Sequence, residues 1–366
     1  MQFKATSLSG LQRAAISAVI CLFSSPVIAG QSSECSPNDA PIWGDTTSWT
    51  AETGPAGREH AIMLFDAKRQ RIILAGGTGY KPQLRPLADA WAFDIADRTW
   101  RPLEITGEAP ALGGSRRASK LSDSGIALIY GGYDSKQAPL GDLYKMQASE
   151  SALNFVKMDQ ENAPPARFLH AFVRSANENE YYTFGGVGTQ LYNDAWRLTV
   201  SGDIGVWEQI ETANAPSARY GFSYFHDERT NSLVIAGGAD ERFPSEYPND
   251  FWSLSTGAEN IWRKLPADEN VSAKTGRRNP HFAFDGSTGR LLIFGGTSDG
   301  RTASTDNGFL TFSPEGDVSW RPLADGGPTP RASGMSIFDD EADSFWLGFG
   351  NAKEAYLDLT PLAECE

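Results

Sequence analysis

Five times along this sequence a short β-branched or aromatic run ends in two adjacent glycines. The copies are IILAGG (72–77), ALIYGG (127–132), YYTFGG (181–186), LVIAGG (233–238) and LLIFGG (291–296), with 55, 54, 52 and 58 residues between successive first glycines. A degenerate sixth copy, SFWLGFG (344–350), falls where the period predicts it. The runs read as buried strands, and paired glycines permit a tight exit from a strand with positive φ. Self-similarity at a fixed period of this size signals a repeat architecture.

Other features recur in phase. A further strand follows each double glycine: DAWAFD (89–94), GDLYKM (141–146), NDAWRL (193–198), NDFWSL (249–254), NGFLTF (307–312) and EAYLDL (354–359). An aromatic on the next strand comes after it: Trp100, Phe155, Trp207, Trp262 and Trp320. Arg58, Arg167, Arg219 and Arg277 each lie 18 residues before a first glycine, the second copy offers Arg116 or Arg117, and the sixth offers Arg331. Each unit reads as four short antiparallel strands that cannot bury both faces alone, so the copies must stack around an axis.

The fold expected is therefore an all-β six-bladed β-propeller forming a single domain over residues 30–366. Its blades are expected at about 56–104, 113–159, 165–211, 217–266, 275–324 and 329–360. The sixth copy ends after its third strand, and Trp49 occupies a fourth-strand slot in the phase of the repeat. Residues 45–52 are thus expected to complete the last blade and close the ring.

Double glycine, aromatic-rich strand and phased tryptophan together resemble the kelch repeat family, and the resemblance covers the chain from about residue 40 to its end. It implies the propeller fold and leaves function open, because this fold carries protein binders, degron receptors, copper oxidases, specifier proteins and a periplasmic sialic acid mutarotase.

The N-terminus reads as a secretory signal over residues 1–29. Lys4 and Arg13 precede an apolar run from Ala14 to Phe23, and Val27-Ile28-Ala29 offers small residues for cleavage. The run is shorter than the about 20 residues needed to cross a bilayer, and Ile20 stands before Cys21 where a lipoprotein signal wants a small residue, so neither membrane insertion nor a lipid anchor is expected. A secreted or periplasmic location follows. Loss of Lys4 and Arg13 takes the formal net charge from −14 to −16, which argues against nucleic acid or anionic membrane as the main partner. Cys35 and Cys365 then remain, and an oxidising compartment makes a disulfide between them the expected pairing. A bridge closing so long a loop contributes on the order of 4 to 5 kcal/mol in the chain-entropy model. A monomer is expected.

Strand alternation places the arginines at the same end of the blades as the loops after the double glycines. One arginine per blade (Arg58, Arg116 or Arg117, Arg167, Arg219, Arg277, Arg331) on a strongly acidic chain suggests a funnel for an anion, since the guanidinium fork binds carboxylate bidentately. In kelch domains that bind acidic peptides the corresponding position supplies arginines to the central pocket, and the resemblance supports that role here. The competing reading pairs the same arginines with Asp89, Asp142, Asp194 and Asp250 of the third strands. Loop aromatics Tyr80, Tyr133, Tyr192, Phe243 and Tyr247 are candidate contacts for a sugar or a peptide, whereas the phased tryptophans read as blade packing. Asp66, with Lys68 and Arg69, and Asp339-Asp340-Glu341 read as solvated hairpin tips on the opposite face.

His60, His170 and His281 follow the repeat arginines in alternate blades, and their unequal offsets argue against a shared metal. No metal or cofactor is expected. The copper oxidases of this fold need a cysteine cross-linked to tyrosine near the axis, and the two cysteines left after the expected cleavage, Cys35 and Cys365, are terminal. The function expected is an extracytoplasmic binding module for an acidic small molecule, a sugar or a protein partner at the arginine face. The alternative is an enzyme of the mutarotase, epimerase or lyase type acting on an acidic sugar, with one of the three histidines as acid/base and Arg58 or Arg277 holding a carboxylate.

Overall fold

The computed structural model describes residues 42–50, 52–80, 85–110, 113–240, 247–257, 259–323, 325, 327–350 and 358–363. The expected signal peptide, Cys35, Cys365 and Phe243 lie outside the described residues. No helix among the described residues is long and apolar enough to cross a membrane.

Each repeat forms one antiparallel unit of four strands, numbered from the axis outward. In blade 1 these are Ile62–Asp66, Arg71–Ala75, Ala90–Asp94 and Thr99–Gly107. Blades 3, 4 and 5 repeat the pattern with inner strands Ala171–Arg174, Ser223–Asp227 and His281–Asp285. Blade 2 has the shortest inner strand, Arg117–Ala118. Blade 6 takes three strands from the end of the chain: Met335–Asp339, Ser344–Gly348 and Asp358–Ala363. Its fourth edge comes from the beginning, where Ile42–Trp43 pairs with Leu362 and Ala363, and Thr47–Ser48 with Asp358 and Leu359. The inner strands pack side by side around the axis, and the sixth returns to the first.

The apolar runs are continuous rather than alternating because each sheet is buried on both faces. On Arg71–Ala75, Ile73 and Ala75 pack into a cluster shared with blade 2, while Ile72 and Leu74 pack into one shared with blade 6. The same division recurs around the ring, giving one such seam cluster for each pair of neighbouring blades among the described residues. The core is a ring of inter-blade seams.

The double glycines behave as the repeat requires. Gly76, Gly131, Gly185, Gly237 and Gly295 all have φ between 64° and 68°, and Phe349 holds the same place in blade 6 at 61°. A Cβ on Gly295 would lie 1.9 Å from the carbonyl oxygen of Arg331, so the start of the next blade occupies that space.

Candidate functional site

The repeat arginines are buried inside their blades. Arg58 donates to the Gly76 carbonyl (2.8 Å) and grips Asp89 with both Nη atoms, at 2.7 and 2.8 Å. Arg167 does the same with Gly185 (3.1 Å) and Asp194 (2.7 and 2.8 Å). Arg219 bonds Gly237 and Asp250, Arg116 bonds Asp142, and Arg331 bonds Asp358. The spacing of 18 residues is thus a physical one: it carries the guanidinium to the carbonyl of the first glycine. In blades 1, 3 and 4 the tryptophan two residues after the aspartate donates Nε1 to the same carboxylate, at 2.8, 2.7 and 2.7 Å. Burial alone lifts Asp89, Asp194 and Asp250, but the arginine bonds and charge outweigh it and hold all three below the usual carboxylate range. The expected arginine ring is therefore largely a set of ion pairs within blades, its donors turned to their own sheets.

Blade 2 resolves the choice between Arg116 and Arg117. At the start of every blade one residue adopts left-handed φ: His60, Ser115, Leu169, Gly221, Asn279 and Ser333, at 52° to 64°. Gly113 therefore corresponds to Arg58, and Arg116 swings back from three residues later to bond Asp142 at 3.1 Å. Arg117 is left facing the axis. Its Nε donates to the His170 carbonyl (3.1 Å) and its guanidinium lies 5.5 Å from the centre of the Tyr224 ring. No carboxylate pairs with it among the described residues.

The axis holds a cavity of about 710 Å³, walled by Met63, Phe172, Tyr224, Phe282 and Ile337 of the inner strands. Its rim lies at the hairpin-turn end, at Ser287, Thr288, Asp340 and Asp343. Tyr224 and Phe282 meet edge to face at 5.1 Å. A smaller space of about 130 Å³ shares Met63, Tyr224 and Phe282 with it and continues up the axis to Arg116, Arg117 and Gly334. Arg174 lines the larger cavity and also lacks a carboxylate partner among the described residues, whereas Lys120 pairs with Asp340 at 3.2 Å. The volume falls within the range of small-molecule sites, about 300–1,000 Å³.

Comparison with known proteins places this geometry. Adagio-like protein 3 from Oryza sativa subsp. japonica is 24% identical over 294 residues, covering 78% of this chain and 46% of that protein. Adagio protein 3 from Arabidopsis thaliana is 26% identical over 271 residues, covering 71% and 42%. The matches thus span less than half the length of these relatives. Among solved structures, that of YjhT superposes with a TM-score of 0.56 at 16% identity, covering 72% of this chain and 84% of that one. A fungal alcohol oxidase of the AA5 family in complex with copper superposes with a TM-score of 0.58 at 13% identity, covering 89% and 76%. At such identities the likeness is one of fold. No protein-family profile matches the chain.

The chain is a kelch-like β-propeller.

Within this propeller the three histidines do not converge, and no cluster of three or more metal-ligating side chains exists among the described residues. His170 is fully buried against Tyr130, with both ring nitrogens unbonded. His281 Nδ1 donates to the Met335 carbonyl at 3.1 Å. Burial, with Arg117 near one and Arg331 near the other, pushes His60 and His281 down to about 3. Imidazoles held neutral to that extent are poorly matched to proton transfer near neutral pH.

The loop tyrosines of the propeller divide. Tyr192 is buried rather than exposed, stacked 4.4 Å from the Arg167 guanidinium. Tyr80 donates its hydroxyl to Glu59 (2.6 Å), and Tyr133 shares a hydrogen bond with Thr78 (2.9 Å). Tyr247 is half-buried beside Tyr220 and Leu169. Two hairpin-tip expectations are corrected. Asp66 and Asp339 are buried, because Asp66 anchors Arg69 and Arg71 while Asp339 accepts the backbone N–H groups of Glu341 and Ala342. Sequence reasoning missed the axial aromatics Tyr224 and Phe282. Their only signal was a position on the first strand of a repeat.

Proposed function

We propose that this propeller is an extracytoplasmic binding module that takes an acidic ligand, a sugar acid or an acidic segment of a protein partner, along its axis. The observation that carries the reading is Arg117, an axial arginine continuous with an aromatic-walled cavity and without a carboxylate partner among the described residues. A guanidinium in a partly desolvated site forms strong charge-assisted bonds with carboxylate. Aromatic faces suit either a sugar ring or the apolar stem of an acidic side chain. The kelch-like fold supports a binding role, and the signal-like segment with Lys4, Arg13 and Val27-Ile28-Ala29 supports export.

The test is a thermal-shift and calorimetric screen of the mature protein against uronic and sialic acids, dicarboxylates and acidic peptides. Arg117→Ala is expected to lower the affinity of any hit at least 10-fold while costing the unliganded protein only about 1 kcal/mol, the worth of its hydrogen bond to the His170 carbonyl. Equal affinity in both proteins would remove the axial site from consideration. N-terminal sequencing of the exported protein, expected to begin near Gly30, tests the location.

A further inference from the structure

Two cations line the axial cavities without a carboxylate partner among the described residues, Arg117 and Arg174. The other cations there are paired, Arg116 with Asp142 and Lys120 with Asp340. The two stand on one wall. Arg117 belongs to the inner strand of blade 2, and its Nε donates to the His170 carbonyl of blade 3 at 3.1 Å. Arg174 ends the inner strand of that same blade 3, Ala171–Arg174. An extended chain rises about 3.3 Å per residue, so roughly 13 Å of wall separates the carbonyl that Arg117 reaches from the backbone of Arg174.

The left-handed residue that begins each blade gives a common scale of depth. Arg117 lies at the second place after it, Met63, Tyr224 and Phe282 at the third, Ile337 at the fourth and Arg174 at the fifth. The axis thus presents a deep cation, an apolar middle and a second cation near the hairpin-turn rim. Tyr224 lies 5.5 Å from the Arg117 guanidinium and bridges the first two zones.

The rim is polarised across the axis. Lys120 and Arg174 stand on blades 2 and 3, whereas Glu228, Asp285, Asp340 and Asp343 stand on blades 4, 5 and 6. Asp285 is bonded by Arg290 at 3.2 Å, and Asp340 by Lys120 at the same distance. An anionic group entering at the rim is therefore drawn to the wall of blades 2 and 3, which also carries Arg117 further in.

We infer that the axial ligand is a free, elongated diacid, with one carboxylate on Arg117 at depth and the other on Arg174 at the mouth. Its apolar or ring-built body lies against Tyr224 and Phe282. This rests on the axial site proposed above and gives it a second anchor. A cavity of about 710 Å³ suits a small molecule of that length.

The experiment is calorimetry of the α,ω-dicarboxylates from succinate to sebacate, each beside its monomethyl ester, on wild type, Arg117→Ala, Arg174→Ala and Arg174→Lys. In wild type, affinity is expected to pass through an optimum of chain length. At the optimum the diacid should bind tighter than its monoester by about 10-fold or more, the worth of one charge-assisted bond. That contrast is expected to vanish in Arg174→Ala and to return in part in Arg174→Lys. Arg174 makes no hydrogen bond or ion pair among the described residues, so its truncation is expected to fold. Diacid and monoester binding equally in wild type, both still dependent on Arg117, would overturn the diacid and leave a single-carboxylate axial site standing. A contrast that persists in Arg174→Ala would overturn it too, as would absence of binding along the whole series. Binding indifferent to Arg117 would remove the axial site itself, and the diacid with it.

Discussion

The backbone N–H of His60 donates to the carbonyl of Ser333 at 3.1 Å, joining the first blade to the last. Equivalent bonds run from Ser333 to Asn279, Asn279 to Gly221, Gly221 to Leu169 and Ser115 to His60. The left-handed residue that begins each blade is thus a stitch to its neighbour. Between blades 2 and 3 the Arg117 side chain reaches the His170 carbonyl instead. The seam between blades 6 and 1 has a further lock in Trp49, which packs on Trp100 at 5.2 Å and on Phe349 at 5.4 Å. Phe349 holds a backbone conformation its siblings reserve for glycine, and this aromatic packing offsets the strain.

Trp49→Ala is therefore expected to destabilise the fold by about 3 kcal/mol, the lower end for a tryptophan truncation because the ring is only partly buried. Chemical denaturation of the mature protein measures it. Loss confined to a few tenths of a kcal/mol would mean that the N-terminal strands contribute little to closure.

Arg167→Met is expected to cost about 3–5 kcal/mol, since it leaves Asp194 half-buried without its partner. Adding Asp194→Leu should recover part of that loss, because an apolar pair avoids desolvating two charges. Arg117→Ala should cost only about 1 kcal/mol, the worth of its hydrogen bond to the His170 carbonyl. Urea unfolding of the four proteins gives the comparison. Equal losses for Arg117 and Arg167 would contradict the division into axial and structural arginines.

The period, the third strands and the closure of the last blade by the N-terminus were all legible in the sequence, because each is a local pattern repeated in phase. The pairing of Arg58, Arg167 and Arg219 with Asp89, Asp194 and Asp250 was legible as one of two readings. Their common offset from the double glycine could not by itself say whether the guanidinium turned inward or toward a ligand. The axial cavity was not legible. Tyr224 and Phe282 sit on strands of two different blades and meet at the axis only because the ring closes. Nor could the role of Arg117 be separated from that of Arg116 without the left-handed Ser115 that fixes the register of blade 2.

The buried histidines predict a pH dependence with a defined sign. His281 is fully buried and lowered to about 3, by burial first and Arg331 second, and His170 is lowered well below its ordinary value. The unfolded chain protonates these rings below about pH 6.5, while the folded one does not. Stability is thus full above that pH and falls as pH drops toward 3, by about 1.4 kcal/mol per pH unit for each histidine. Melting temperatures between pH 7.5 and 4.5 should show this decline. His170→Leu, which removes two unbonded ring nitrogens, should flatten the slope without loss at pH 7.5.

Asp339 predicts the opposite sign. It is fully buried at the end of the inner strand of blade 6, and its Oδ2 has no hydrogen-bond partner. Burial raises it above the usual carboxylate range, despite the N–H groups of Ala342 and Glu341 on Oδ1, and the charges of Asp340 and Glu341 push the same way. A group raised in the folded state lends stability below its unfolded value, near pH 4, and loses it as pH rises through the folded one. Asp339→Asn keeps the Oδ1 acceptor and removes the charge. A gain of about 1 kcal/mol at pH 7 is expected, shrinking below pH 4. Denaturant titrations at the two pH values would show it, and a loss at pH 7 would mean that the charged carboxylate is needed to hold the turn.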